Sequence, residues 1–575
     1  MKISKRMLLF TACLTALLLL NCTGQKQSKT KGLLGEAVPA QRSVVYLDNW
    51  SIYHPGSWSV PTVGVCPTTY NNGQLVNDTA AIIDTMYSQL ALQVNAGKIT
   101  HINYGFARFN TKPVSGSASY NPANSEYEIY FTDAWADAGP GSWSANTSCK
   151  FSDNPFPEQI KGAYVVGAEY NVPAHTDPFL TGDDWGRNTP AYNQRSYGGL
   201  YCAMSKLKAA NSGLKVLISI GGWGYPDGER TNLLKHFQDV AADALAIQNG
   251  ASFENSTIFN PFVTSIKKWM TVFGFDGVDI DWEYPFFATD GGTTLTGDDL
   301  ATAQLQYEAF FRLLRAQLPK AIISTAVSPR SDMLKSFNPY QTLLSDGSID
   351  FINIMAYDYY GAFDKTTGIN APFLDVPKAH GGRPNWSFTD SVDAFAAAVG
   401  PGNISKLNAG LAAYGRSFGD VNGTGCNVNG LGCNFGVPGP DFVSLPKGAT
   451  AGNGSLKYWE ILKLSQELNS IIVDCASVSV GSTDSSTDSS SDKTPMMLCK
   501  DIKQISSPIS GVCPADIIIP VGLYLGNIFI GYDNPASITQ KADYARRQGL
   551  GGSMMWTITG DDVGFNLLNA ATTQN

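Results

Sequence analysis

The sequence predicts an α/β protein: a (β/α)8 barrel of the TIM type with a small α+β domain inserted between strands seven and eight. Three observations lead there. Short runs rich in branched and aromatic residues recur eight times, amphipathic helical patterns separate most of them, and the stretch between the last two runs is far longer than a βα connection. Strands alternating with helices imply parallel pairing, and eight is the number that closes such a barrel.

In chain order the strand-like runs are Ser43–Leu47, Ile99–Phe106, Lys215–Ile220, Phe275–Glu283, Ala321–Ser328, Ile349–Tyr357, Leu407–Tyr414 and Gly552–Ile558. The clearest helical patterns are Thr79–Val94, Ile258–Phe273, Leu300–Leu318, Ser391–Val399 and Ser537–Gln548. Within the third of these, Tyr307, Phe310, Phe311 and Leu314 fall at three-and-four spacing, the mark of one buried helix face. Residues 48–98 read as an aromatic-rich rim loop, and 107–196 carry loop signals throughout. Residues 1–22 read as an export signal, 23–42 as a polar tether, 43–416 as barrel strands one to seven, 417–530 as the inserted domain and 531–575 as the end of the barrel with strand eight. Inside the insertion, Ala476–Thr494 is almost entirely Ser, Thr, Asp, Gly and Val, too polar to order itself by burial, and reads as a surface loop.

Composition narrows the class. The chain has 575 residues, Lys+Arg 40 against Asp+Glu 49, a net charge of −9, 15% charged and 11% aromatic residues. A disordered chain would be richer in charge and poorer in rings. A nucleic-acid partner would need a basic footprint, so none is expected. The rings exceed what a core requires, and some of them are candidates for ligand contacts.

Met1–Arg6 is basic and Met7–Leu20 is an apolar run too short to span a bilayer, the shape of a secretory signal. It ends Leu19-Leu20-Asn21-Cys22, which resembles a bacterial lipobox, although Asn21 stands where Gly, Ala or Ser is usual. The expectation is export, either as a lipoprotein anchored through Cys22 or as a secreted, extracellular protein. Beyond Cys22 lie Cys66, Cys149, Cys202, Cys426, Cys433, Cys475, Cys499 and Cys513, an even set that points to disulfides in an exported chain. No pair has C-x-x-C spacing and the five histidines are scattered, so neither a metal nor a cofactor is expected.

The most informative segment is Asp276-Gly-Val-Asp279-Ile-Asp281-Trp-Glu283-Tyr-Pro285. Alternation puts Asp279, Asp281 and Glu283 on one face of a strand and Val278, Ile280 and Trp282 on the other. A solvated edge strand would set like charges side by side without reason, and an EF-hand needs a glycine turn and oxygen ligands in a loop, which Val278 and Trp282 do not favour. The third reading, a carboxylate row at the C-terminal mouth of a barrel, fits best: chemistry sits there in such barrels, and burial with repulsion holds a proton on one carboxyl near neutral pH. A spacing of roughly 6.6 Å between alternate carboxylates along a strand leaves the second one's role open.

Asp276-x-x-Asp279-x-Asp281-x-Glu283 resembles the D-x-x-D-x-D-x-E signature of glycoside hydrolase family 18, the chitinases. It is joined, in the family's order, by Ser219-Ile-Gly221-Gly222-Trp223, by Met355-Ala-Tyr357-Asp358 with Phe363 following, by Tyr414-Gly-Arg416, and by Gly551-Gly-Ser-Met-Met-Trp556. The resemblance covers about Val44 to Leu568 and is to bacterial members with an insertion after strand seven.

It implies a monomeric chitinase acting on chitin or chito-oligosaccharides by substrate-assisted retention, the sugar's N-acetyl carbonyl attacking C1. Glu283 would be general acid and then base. Asp281 would orient the acetamido group and Asp279 would share a proton with it. Tyr357 would bond the acetamido oxygen beside Asp358. Tyr46 and Ser219 would support the acidic row, although Ser219 and Gly222 have an equally good reading as close packing of strand three. Trp556 would floor the reacting subsite, with Trp50, Tyr53, Trp223 and Phe363 lining others, and Met355, Tyr414 and Arg416 reaching into the cleft. Asp276 reads as structural, and Thr557 departs from the Glu that often follows the floor tryptophan. Two alternatives stand: an endo-β-N-acetylglucosaminidase on glycans, whose relatives typically lack the insertion, and a non-hydrolytic chitin-binding lectin, which would usually have lost Glu283.

Overall fold

In the computed structural model of the chain the residues described are 41–53, 79–111, 124–133, 199–224, 227–289, 292–376, 382–421, 433–439, 454–464 and 528–573, with short pieces at 70–71, 74–75, 136–137, 149–150, 196–197, 503–505 and 522–525. The export signal with Cys22, the tether up to Ala40, Cys66, Cys426, Cys475, Cys499, Cys513, the segment 476–494 and much of the insertion lie outside them, as does the side chain of Tyr53.

Among the described residues the barrel strands are β1 (Arg42–Asp48), β2 (His101–Phe109), β3 (Lys215–Gly221), β4 (Gly277–Asp281), β5 (Ile322–Val327), β6 (Phe351–Ile354), β7 (Leu407–Ala412) and β8 (Gly552–Trp556). Each pairs in parallel with the next, and β8 closes on β1. Closure explains the run composition: both faces of every strand are covered, so the runs are almost continuously apolar. Val278 and Ile280 of β4 are fully buried with the helix residues Phe262 and Ile266 outside the barrel, while Asp279 and Asp281 take the alternate, inner face.

The helices lay one stripe on this barrel. Phe259–Phe273 buries Phe262, Val263, Ile266 and Trp269 and ends at Gly274, whose φ of 75° lets its N–H bond Met270 O. Gly297–Gln317 buries Tyr307, Phe310, Phe311 and Leu314, the face predicted from spacing. Pro535–Arg547 starts with a reciprocal cap between Asn534 and Ser537 and a proline in its first turn.

After β7 the chain enters a second, antiparallel sheet. Tyr414–Gly419 pairs with Val437–Pro438, Ser455–Lys457 and Ile528–Gly531, and the sheet continues through Gly522–Leu525 to Lys503–Ile505. The expected strand ran on to Tyr414, but the barrel ladder stops short of it. Ala413 N donates to Trp556 O at 2.9 Å, its carbonyl accepts Tyr458 N at 2.9 Å, and Tyr414 already belongs to the new sheet. A division at 416/417 therefore cuts a strand. Other expected runs also end earlier: β4 at Asp281, leaving Glu283 two residues beyond it, β5 at Val327, β6 at Ile354, leaving Met355 and Tyr357 beyond it, and β8 at Trp556.

Cys149 and Cys202 form a disulfide closing 53 residues of chain, and Cys433 is also disulfide-bonded. Among the described residues no helix is long and apolar enough to cross a membrane.

Candidate active site

Register brings the acidic row its partners. Ser219 on β3 and Ser324 on β5 both lie level with Asp279 on β4. Asp279 is fully buried, and its carboxylate accepts hydroxyls from Tyr46 (2.7 Å), Ser219 (2.7 Å) and Ser324 (2.5 Å). Burial pushes its pKa above the usual range, and those three hydroxyls oppose the rise. Asp281 is also buried, and its pKa stands well above the ordinary value because of burial first, then the neighbouring charges of Glu283 and Asp279. Its Oδ1 has no hydrogen-bond partner. Glu283 is half-buried; burial raises its pKa to about 7, with a further upward push from Asp358 and opposition from a Tyr284 hydrogen bond and the Arg230 charge. This site thus holds two adjacent carboxyls, Asp281 and Glu283, both raised by burial, with Asp281 Oδ1 unpartnered.

The glycines after Ser219 have a separate task. Gly221 has a φ of 118°, and a Cβ there would stand 2.1 Å from Asp281 O, while Gly222 N donates to that same carbonyl at 2.9 Å. So Ser219 serves the acidic row and the glycines let β3 close on the end of β4; the two readings of this motif hold for different residues. Asp276, by contrast, accepts Val216 N at 2.8 Å and pairs with Lys208 at 2.8 Å, a structural role.

Beyond β6, Tyr357 is buried, its hydroxyl 3.7 Å from Met554 Sδ and its ring edge-on to Tyr414 at 5.9 Å. Met355 is buried in the same cluster, with Tyr46, Phe106 and Met554. Asp358 holds Arg416 Nε at 2.6 Å, and this carboxylate raises the guanidinium's pKa against the effect of burial. Arg416 also lies over the rings of Tyr414 at 5.4 Å and Phe363 at 5.9 Å.

The rings assemble as a floor and a rim. Trp556 is half-buried, edge-on to Tyr46 at 5.2 Å, stacked on Phe106 at 5.6 Å and 6.3 Å from Trp50. Trp50, Trp223 and Phe363 are 38%, 49% and 65% exposed, large apolar surfaces left open to solvent. Trp223 is 6.4 Å from the Tyr284 ring and carries the Arg230 guanidinium at 3.6 Å. Thr557, at the departing position, is buried with its hydroxyl 2.6 Å from that of Thr559, which donates to the buried Asp48.

Every residue expected from the sequence to catalyse or to bind substrate and whose side chain is described sits at this end of the barrel; Asp276, expected to be structural, does not. Sequence reasoning missed Ser324, Phe106, Tyr284 and Arg230. Ser324 had a legible signal, a polar residue at an inward position of an apolar run; the others fall in loops, at strand ends or on helix positions without periodic meaning. Among the described residues no group of three or more His, Cys, Asp or Glu is placed to hold a metal.

Residues 42–561 match the family described as Glycosyl hydrolases family 18. Mouse chitotriosidase-1 is 26% identical over 372 residues, covering 64% of this chain and 63% of that protein. Chitinase A1 of Niallia circulans is 24% identical over 483 residues, covering 81% and 54%. Mouse oviduct-specific glycoprotein, whose name carries no hydrolase, is 25% identical over 375 residues, covering 65% and 41%. The chain therefore spans less than two thirds of each of these relatives. A chitinase from Bacillus thuringiensis shares the fold with a TM-score of 0.53 at 18% identity, over 93% of this chain and 71% of that one. Catalytic domain 2 of the Ostrinia furnacalis group II chitinase, solved with (NAG)5, gives 0.51 at 20% identity over 92% and 95%.

Proposed function

The chain belongs to glycosyl hydrolases family 18, and from that premise we propose that it is a chitinase hydrolysing β-1,4 links of N-acetylglucosamine polymers with retention, assisted by the substrate's own acetamido group. The observation that carries this reading is the pairing of Glu283, whose carboxyl is raised to about 7, with the buried, unpartnered Oδ1 of Asp281. A buried acceptor without a partner is costly, and an acetamido N–H is the kind of donor that would satisfy it.

Glu283 protonates the glycosidic oxygen as the C1–O bond breaks. The acetamido carbonyl closes on C1, and positive charge develops on the acetamido nitrogen of the oxazolinium ion. Asp281 stabilises that charge. Asp279, held by Tyr46, Ser219 and Ser324, shares its proton with Asp281. Tyr357 directs its hydroxyl at the acetamido oxygen. Glu283, now ionised, takes a proton from the water that opens the ring, and the acid form is restored.

The C–H faces of the sugars lie on Trp556, with Trp50, Trp223 and Phe363 extending the track. Trp556→Ala is expected to cost about 2 kcal/mol of binding, as a buried anchor does, which is roughly a 30-fold rise in KM; steady-state kinetics on a chromogenic chito-oligosaccharide checks it. The same reading takes the antiparallel sheet after β7 as an inserted lobe walling the cleft, and the protein as an exported monomer, anchored through Cys22 or released.

The acid role fixes a sign for pH. Glu283 acts as acid only while protonated, so activity persists below its pKa of about 7 and falls above it. A pH profile of kcat/KM on chitin hexamer is expected to show its alkaline limb near neutrality; a rate that stays flat to pH 9 would remove Glu283 from the role. Release of protein-linked glycans without cleavage of chitin hexamer would favour an endo-β-N-acetylglucosaminidase, and binding without turnover a lectin.

A further inference from the structure

Residues 366–371 run between the barrel mouth and the inserted sheet, and both sides hold them. From the insertion side, Thr366 bridges to Asn434, and Thr367 and Cys433 exchange hydrogen bonds of 2.9 Å in both directions. Gly531 approaches so closely that a Cβ there would lie 2.8 Å from Gly368 O. From the barrel side, Lys541, buried against Asp533 at 2.6 Å, donates to Ala371 O at 2.6 Å. A short loop pinned in this way has little freedom to adjust.

Asn370 is the buried polar residue at the centre of that loop, 1% exposed. Its Oδ1 accepts Asp358 N at 3.0 Å, its Nδ2 donates to Tyr414 O at 3.1 Å, and its own carbonyl accepts Tyr359 N at 3.0 Å. A backbone N–H on one side and a backbone C=O on the other leave a single orientation for the amide. The two anchored residues are neither adjacent in sequence nor in the same sheet. Asp358 also has a φ of 58°, a left-handed conformation that a non-glycine residue adopts only where its surroundings impose it.

We propose that Asn370 is a positioning residue, the amide that ties Asp358 to Tyr414 of the inserted sheet at the subsite of the reacting sugar. This rests on the hydrolytic reading of the site. Asn370 touches no reacting atom; it acts by pinning the backbone of Asp358, and so the Arg416 pair, and the carbonyl of Tyr414, whose ring packs on Tyr357. Displacing such groups by an ångström costs rate rather than binding, because their contacts tighten in the transition state.

The test uses the full chain with Asn370→Ala and Asn370→Asp. On chito-oligosaccharides, Asn370→Ala is expected to lose roughly 100-fold in kcat, with KM changed far less. Asn370→Asp restores function only while its new carboxyl is protonated, since only then does it both donate to Tyr414 O and accept from Asp358 N. Its rate therefore recovers on the acid side and fails at a lower pH than wild type. A purely structural role would lower the yield of folded protein without moving this limb. A crystal structure of Asn370→Ala is expected to show Asp358 out of its left-handed conformation and off Arg416. Wild-type kcat in Asn370→Ala, or Asp358 and Tyr414 unmoved in its crystal structure, overturns the proposal. If Asn370→Ala does not fold, the pH profile of Asn370→Asp decides, and a limb coincident with wild type overturns it. If the wild type itself fails to cleave chito-oligosaccharides, the hydrolytic reading falls, and the crystal structures alone decide the positioning role.

Discussion

Glu283→Gln is expected to lower kcat on chitin hexamer by about 10⁴-fold, the upper range of what a positioned general acid contributes, while the affinity for the oligosaccharide stays close to that of the wild type. Gln keeps the size and half-buried setting of Glu283 and loses only the ionisable carboxyl. The size of the loss depends on the leaving group. A glycosidic oxygen of a sugar is a poor leaving group and needs protonation as it departs. A dinitrophenolate does not, so the loss in kcat/KM, which reports the oxazolinium-forming step and not the later step in which Glu283 is the base, should be much smaller on a 2,4-dinitrophenyl chitobioside. Kinetics on both substrates, with calorimetric binding of the hexamer to the variant, separates acid catalysis from folding or binding defects. An equal loss on both would mean that Glu283 does something other than protonate the leaving group.

Asp281→Asn should be nearly as damaging, with kcat reduced roughly 10²- to 10³-fold, as when one preorganised electrostatic group is removed. Asp281 is buried next to Asp279 and Glu283, so its charge is stabilised by little in the free protein, and Oδ1 is without a partner. An arriving acetamido group gives it a donor, and the oxazolinium ion gives it a countercharge in surroundings of low dielectric. Asn can still accept the N–H through its carbonyl oxygen, so KM should change little, but it cannot supply the charge. A fall in affinity at unchanged kcat would place Asp281 in ground-state binding alone.

Alternation along one strand made part of this site legible. The spacing of Asp279 and Asp281 put both inside, and it put Val278, Ile280 and Trp282 outside, where Trp282 stacks on Phe237 at 5.3 Å. The rule carried Glu283 to the same mouth although β4 ends at Asp281, because the chain continues past the barrel rim there. The helix face of Tyr307, Phe310, Phe311 and Leu314 was equally plain, since a period of 3.6 needs no tertiary information.

What was not legible depends on long-range contact. Asn370 sits in a loop where polar residues are unremarked, and only the fold brings it between Asp358 and Tyr414. Arg230 reaches Trp223 from a helix with no cue in its spacing. The exit from the barrel at Ala413 left no trace, because Leu407–Tyr414 reads as one apolar run whichever sheet its last residue joins.

Substrate-assisted retention is tested most directly by the anomeric configuration of the first products released from chitin hexamer, read by proton NMR within the first minutes, before mutarotation. The β-anomer should appear first, with no turnover of the fully de-N-acetylated hexamer, which lacks the attacking carbonyl. A first-formed α-anomer, or hydrolysis of the de-N-acetylated hexamer at a comparable rate, would contradict the roles assigned to Asp281, Glu283 and the acetamido group together.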